Sequence, residues 1–184
     1  SKKKFRDDEE FDEPQVLPVR PHEQLLIDAM PELTATRVIC TTAGRAQFAE
    51  TFARERPDAQ VECCFLDLFQ KNQSEFQVLD HGPVDNLKFL CEPDLPQTAA
   101  DLVAFTFRKG GDAELTRDLM QQGYQRLVDG GRMIAVTDND EDQWLHEQLK
   151  ELFPKVTRRP YRKIGTLYLA TRTGPLKKVK NYDC

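Results

Sequence analysis

Four short stretches of this chain carry residue types able to hold or transform a small molecule, and each closes a hydrophobic run. Thr41-Thr42-Ala43-Gly44-Arg45 follows Arg37-Val38-Ile39-Cys40 and opens a helical pattern. Backbone N–H groups at such a turn face whatever lies beyond the strand, which makes Thr41 and Gly44 candidate contacts. Asp67 ends the run from Val61 to Leu66, some 27 residues after Cys40. A carboxylate there is placed to accept hydrogen bonds from the two hydroxyls of a ribose. Glu92 and Asp94 follow Leu87 to Cys91, where the edge of a base could be read. Thr106-Phe107-Arg108-Lys109 closes the run from Leu102, and a second reactant would face the first there.

These positions matter only if the elements before them end side by side. Leu25 to Met30 suit a short helix, Arg37–Cys40 a buried strand, and Ala46, Phe48, Ala49, Phe52 and Ala53 a helix stopped before Pro57. Val61 to Leu66 reads as the second strand, and a looser stretch then leads to a third at Leu87–Cys91. Leu102 to Phe107 is the fourth strand, and Leu115, Leu119, Met120, Tyr124 and Leu127 form a helical stripe. After it, Gly130 or Gly131 is expected to close the helix in the left-handed conformation. Met133 to Val136 then runs on as a strand buried on both faces. Trp144 to Phe153 is a further helix, with Trp144 expected in the core, and Val156 and Gly165–Ala170 finish as adjacent strands. The alternation predicts an α/β, Rossmann-like, doubly wound sheet, mostly parallel with an antiparallel C-terminal edge strand. In such a sheet ligands bind beyond the carboxyl ends of the strands. Cys40, Asp67 and Phe105 are therefore expected at one rim, framing a cleft for an adenosine-like molecule.

Composition narrows the classes. The 184 residues suit one domain, read as a charged leader over 1–21, an α/β domain over 22–176 and a basic tail over 177–184. No apolar run nears the roughly 20 residues that span a bilayer. The charged N-terminus lacks a signal-peptide core, so a cytoplasmic location is expected and no membrane partner. The five cysteines contain no CxxC pair and mostly adjoin apolar runs, which favours buried free thiols. The three histidines are scattered, and Asp138-Asn139-Asp140-Glu141-Asp142 lacks EF-hand spacing, so no metal site is expected. No Ser/His/Asp or Cys/His set supports nucleophilic hydrolysis. From Lys155 to Tyr182 there are nine Lys or Arg and no Asp or Glu, in a chain whose net charge is −5. That segment is either a polyanion-facing edge or a solvated strand pair with a basic tail.

The order of elements resembles the class I S-adenosylmethionine-dependent methyltransferases over roughly residues 22–176. Within them it looks most like the small-domain ribosomal RNA guanine-N2 methyltransferases. The resemblance rests on Arg37–Cys40 with Gly44, Val61 to Asp67, Asp101 to Phe105, Leu127 to Val136 and the terminal strands. It implies S-adenosylmethionine as cofactor, held by Thr41, Gly44, Asp67, Glu92 and Asp94, with Thr106 and Phe107 at the acceptor. It implies methyl transfer to an amino group of a base in ribosomal or other structured RNA. Lys155, Arg158, Arg159, Arg162, Lys163, Lys177, Lys178 and Lys180 would contact its phosphates. Two loops depart from the family. The first holds one glycine where the family is acidic and glycine-rich, and Thr106-Phe107-Arg108-Lys109 replaces an Asn-Pro-Pro-aromatic motif. A non-catalytic RNA-binding or scaffold module on the same sheet is the alternative reading.

Overall fold

The computed structural model describes residues 20–173, so most of the leader and the tail, with Lys177, Lys178 and Lys180, lies outside the described residues. Helix α1 (Pro21–Asp28) begins with proline, whose fixed φ suits a first turn. Strand β1 (Arg37–Thr41) and helix α2 (Gln47–Glu55) follow, then β2 (Gln60–Cys64), α3 (Leu68–Asp80) and β3 (Leu87–Leu90). The chain continues through β4 (Ala100–Phe107), α4 (Ala113–Arg126), β5 (Leu127–Thr137), α5 (Trp144–Leu152), β6 (Val156–Tyr161) and β7 (Gly165–Thr171).

The seven strands lie in the order β3-β2-β1-β4-β5-β7-β6. The first five are mutually parallel, and β7 inserts antiparallel between β5 and β6. Cys40 sits level with Cys63 on one side and Ala104 on the other, so β1, β2 and β4 end at one rim. Strand order reverses between β1 and β4, which is where such sheets open a crevice. Strand residues alternate between two cores. Val38, Cys40, Leu102 and Ile134 pack with Leu26, Phe48 and Phe52, whereas Ile39, Val103, Phe105 and Met133 pack with Met120, Tyr124 and Leu149. Burial on both faces explains why these strands read as continuous apolar runs. Asp101 accepts from the N–H groups of Thr36 and Arg37, tying the start of β1 to β4.

Two elements differ from the sequence reading. The stretch after Asp67 is a 13-residue helix, α3, not a looser segment. Its buried positions are Ser74 and Val78, while Leu68, Phe69, Phe76 and Leu79 are exposed, so the usual apolar-inside pattern is reversed. The glycines after α4 do not close that helix. Leu127 already has extended backbone, and Gly130, at φ +83°, lies inside β5. There the register jumps from Ala100↔Leu127 to Leu102↔Arg132, a bulge that left-handed backbone permits. The guanidinium of Arg172 terminates α4 instead, donating to the carbonyls of Tyr124 (2.9 Å) and Leu127 (2.8 Å).

Candidate functional site

A cavity of about 270 Å³ opens over the carboxyl ends of β1, β2, β3 and β4. Small-molecule sites typically span roughly 300–1,000 Å³, so this one sits at the small end. Its position follows from the register: Thr106 N–H donates to the Thr41 hydroxyl (3.2 Å), pinning the end of β4 to β1, while the loops beyond diverge. The walls are Thr41, Thr42 and Ala43 from β1, Cys64 to Leu66 after β2, Glu92 to Leu95 after β3, and Thr106 to Arg108 from β4. The start of α4, from Gly111 to Leu119, closes it.

The chemistry of these walls is mixed. Phe65 is buried and stacked on Phe89, with centroids 6.2 Å apart, and with Leu95 and Leu119 it gives an apolar lining. Cys64 remains a neutral thiol, because burial pushes its pKa well up. The Thr106 hydroxyl is buried and has no hydrogen-bond partner. An unmatched buried hydroxyl costs about 1–3 kcal/mol. Asp94 accepts from Gln122 Nε2 (3.1 Å), and the same Gln122 accepts from Leu95 N–H (2.8 Å), so α4 holds the loop after β3.

Two residues that no motif singled out brace the site from α1. Glu23 is fully buried and accepts from the Thr42 hydroxyl (2.8 Å) and from Phe48 N–H (3.1 Å). Its carboxylate therefore occupies the N-terminus of α2, where free N–H groups would otherwise await an anion. Burial raises its pKa, partly offset by the hydrogen bonds from Thr42 and Phe48. His22 Nε2 lies 2.8 Å from the Phe107 carbonyl. A carbonyl only accepts, so Nε2 carries the hydrogen; burial lowers the pKa of this ring and keeps it neutral. The signal available in sequence was a polar His-Glu pair just ahead of the apolar Leu25-Leu26-Ile27 run.

The expected site residues are brought together only in part. Thr41, Glu92, Asp94, Thr106 and Phe107 all line the cavity. Gly44 does not: its N–H donates to the Thr42 hydroxyl and its carbonyl accepts from Gln70 Nε2. The left-handed residue of that turn is Ala46, at φ 65°. Asp67 stands at the same rim but is turned to α3, whose first turn it caps by accepting from Phe69 N–H (2.8 Å). Cys64, Phe65 and Leu66 form the wall after β2.

A second cavity, also about 270 Å³, shares Phe107, Arg108, Gly111 and Thr116 with the first and extends towards Asn139 and Trp144. Trp144 is not a core anchor. It is 36% exposed, lines this cavity and lies under the Arg117 guanidinium, 5.5 Å from the ring centroid. The acidic run after β5 is spent on loop geometry. Asp138 accepts from Lys109 N–H, Asp140 from Lys163 N–H, and Asp142 from Leu145 N–H and the Tyr168 hydroxyl.

The basic edge is divided. Arg159 forms a two-pronged ion pair with Glu32 (2.8 and 2.9 Å), and Arg158 donates to the Asp142 carbonyl (3.2 Å). Tyr161 pairs with Gly165, and Thr166 with Thr137, so the turn bearing Arg162 and Lys163 lies at the same end of the sheet as the cavities. Val156 lies level with Ala170 and Met133, which puts neighbouring Lys155 at the opposite end of the sheet.

No protein-family model matches this sequence, and no curated protein does. Solved structures do match. A T. thermophilus 16S rRNA N2 methyltransferase, in complex with AdoMet and guanosine, superposes with a TM-score of 0.69 at 19% identity, over 84% of this chain and 44% of that one. This chain thus spans less than half the length of that relative. An rRNA methylase from Streptococcus thermophilus gives 0.65 at 14% identity, over 85% of this chain and 99% of that one. A ribosomal protein methylase from Lactobacillus delbrueckii subsp. bulgaricus gives 0.68 at 14%, over 87% and 83%. At these identities the likeness is one of fold alone.

Proposed function

We propose that this chain is an S-adenosylmethionine-dependent methyltransferase acting on RNA, with an amino group of a base as acceptor. The observation that carries the reading is the cavity over the carboxyl ends of β1, β2 and β4, where an apolar wall of Phe65, Leu95 and Leu119 meets Glu92 and Asp94. The chemistry of the lining fits the cofactor. Phe65, Leu95 and Leu119 suit a planar ring, and Glu92 and Asp94 offer acceptors for its amino and hydroxyl groups. Thr41, with the Gly44 turn behind it, would flank the amino-acid end, and Asp67 would reach a ribose only by leaving its cap. When bound, S-adenosylmethionine supplies an electrophilic methyl group on a sulfonium sulfur. The chain's own task is alignment. Thr106 offers one hydrogen bond, Phe107 stands between the two cavities, and His22 fixes the Phe107 backbone. Phosphates of the RNA would meet Arg162 and Lys163 at the rim, with Arg158, Arg159, Lys155 and the tail lysines further out.

A second reading, a non-catalytic RNA-binding or scaffold module, draws on the two loops. Glu23 already fills the N-terminus of α2, and the Phe107 carbonyl already accepts from His22. Calorimetry with S-adenosylmethionine and S-adenosylhomocysteine, paired with transfer of labelled methyl to ribosomal RNA, separates the two. The enzyme reading expects micromolar binding, weakened at least about tenfold by Thr106→Val, and label in the RNA. Asp67→Ser keeps a capping oxygen, so weaker binding in that variant would assign Asp67 to the ribose. No heat at millimolar ligand would leave the module reading.

A further inference from the structure

Strand β6 has two unlike faces. Val156 packs with the cluster that holds Leu149 and Phe153, and Arg158 donates to the Asp142 carbonyl (3.2 Å), so both turn towards α5. Lys155, just before the strand, Thr157 and Arg159 alternate with them and face the other way. On that side Thr157 lies level with Leu169 of β7, and Thr171 of β7 lies level with Arg132 of β5. Together with Lys155, Pro154 and Thr173 these residues wall an open groove of about 320 Å³. Its lining holds two cations and three hydroxyls, and no carboxylate. Lys155 joins none of the ion pairs among the described residues. Arg132 spends an N–H on the Glu32 carbonyl and keeps its charge, while the Glu32 carboxylate is bound by Arg159.

We propose that this groove is a phosphate-binding site for RNA, separate from the cavities at the other end of the sheet. The proposal rests on the reading that the chain acts on RNA. Hydroxyls set among cations suit phosphate oxygens, which accept from Lys, Arg and Thr alike. The sequence runs on from Thr173 to Lys177, Lys178 and Lys180, four to seven residues later, with no Asp or Glu before Tyr182. Four residues span at most about 14 Å, so those lysines belong to the same end of the molecule. Thr171 is level with Arg132 and Thr166 with Thr137, so roughly 17 Å of strand separates the groove from the cavity end, where Arg162 and Lys163 stand. Arg159, between the two, is already matched by Glu32. The free cations thus fall at both ends of this edge. A single nucleotide is too short to touch both, and the partner is an RNA large enough to lie across them.

Filter binding of a folded ribosomal RNA fragment to the full chain, at several salt concentrations and without cofactor, tests this. Lys155→Gln should flatten the slope of log affinity against log salt by about 0.7–0.9, one released counterion. Lys155→Glu should weaken binding at low salt at least about tenfold, whereas Lys88→Glu, an equal change of charge on β3, should not. Both lysines are exposed and neither joins an ion pair among the described residues, so circular dichroism should be unchanged in each variant. Added to Arg162→Gln and Lys163→Gln, the loss from Lys155→Gln should be additive, as separate contacts require. Equal weakening by Lys155→Glu and Lys88→Glu, or an unchanged slope in Lys155→Gln, overturns this proposal alone. A full chain that binds no RNA overturns it together with the RNA reading.

Discussion

Glu23 and His22 show how much of this site depends on single buried groups outside every motif. Glu23 has a folded pKa raised above the ordinary 4.5, first by burial. The folded state then holds the proton more tightly than the unfolded chain, so stability is fullest below 4.5 and is lost as pH rises through the folded value. His22 has the opposite sign. Burial lowers its pKa from 6.5, so its contribution is present above 6.5 and is lost as pH falls towards the folded value. Thermal midpoints measured across pH 4 to 8 should therefore carry two opposed slopes. Glu23→Gln should remove the loss on the alkaline side and leave the acid-side loss in place. An unchanged profile in that variant would mean that Glu23 is ionised at little cost. Asp67 teaches the complementary lesson. A carboxylate at a strand end was legible, but which hydrogen bonds it takes was not, because the stretch after it read as loose and is a helix that begins at Leu68.

At the scale of elements, hydrophobic runs revealed the buried strands, and β1, β4 and β5 lie where those runs do. α3 escaped because periodicity reports which face is buried only when the buried face is apolar, and here Gln70 and Ser74 face inward. The glycines were visible, but their partners were not. A Cβ on Gly165 would come 2.1 Å from the Thr137 carbonyl oxygen, where β7 meets the end of β5. Gly165→Ala should therefore cost about 3 kcal/mol or more, since backbone on both sides must shift. Gly130 has open space around it and a φ of +83°, so Gly130→Ala should cost only about 1–2 kcal/mol, the penalty of left-handed backbone. Urea unfolding midpoints of the two variants check this order, and equal losses would contradict the close packing at Gly165.

For the whole molecule, the basic C-terminal segment was plain in sequence, whereas its partition was not. Arg159 is matched by Glu32 and Arg158 is folded onto the loop after β5, while Arg162 and Lys163 stand at the end of the sheet where the cavities open. Neutralising Arg162 and Lys163 together should flatten the slope of log affinity for RNA against log salt by about 1.4–1.8, near one released counterion each. Arg159→Gln should leave that slope almost unchanged. A filter-binding series at several salt concentrations distinguishes the two, and the reverse ranking would move the RNA to the outer face of β6. No helix among the described residues is long and apolar enough to cross a membrane.

The sequence by itself determined the order of the strands and of every α-helix but α3, and hence the parallel sheet with its antiparallel C-terminal pair. Burial on both faces writes a continuous apolar run locally, and short connections leave few ways to assemble such runs. Only the tertiary structure decided which side chains face the cavity. Glu23 meets Thr42, His22 meets Phe107, and Asp67 turns to its own helix because the packing of α1 and α3 against the strand ends fixes those contacts. Contacts between groups 19 or 85 residues apart leave no periodic trace in the chain that makes them.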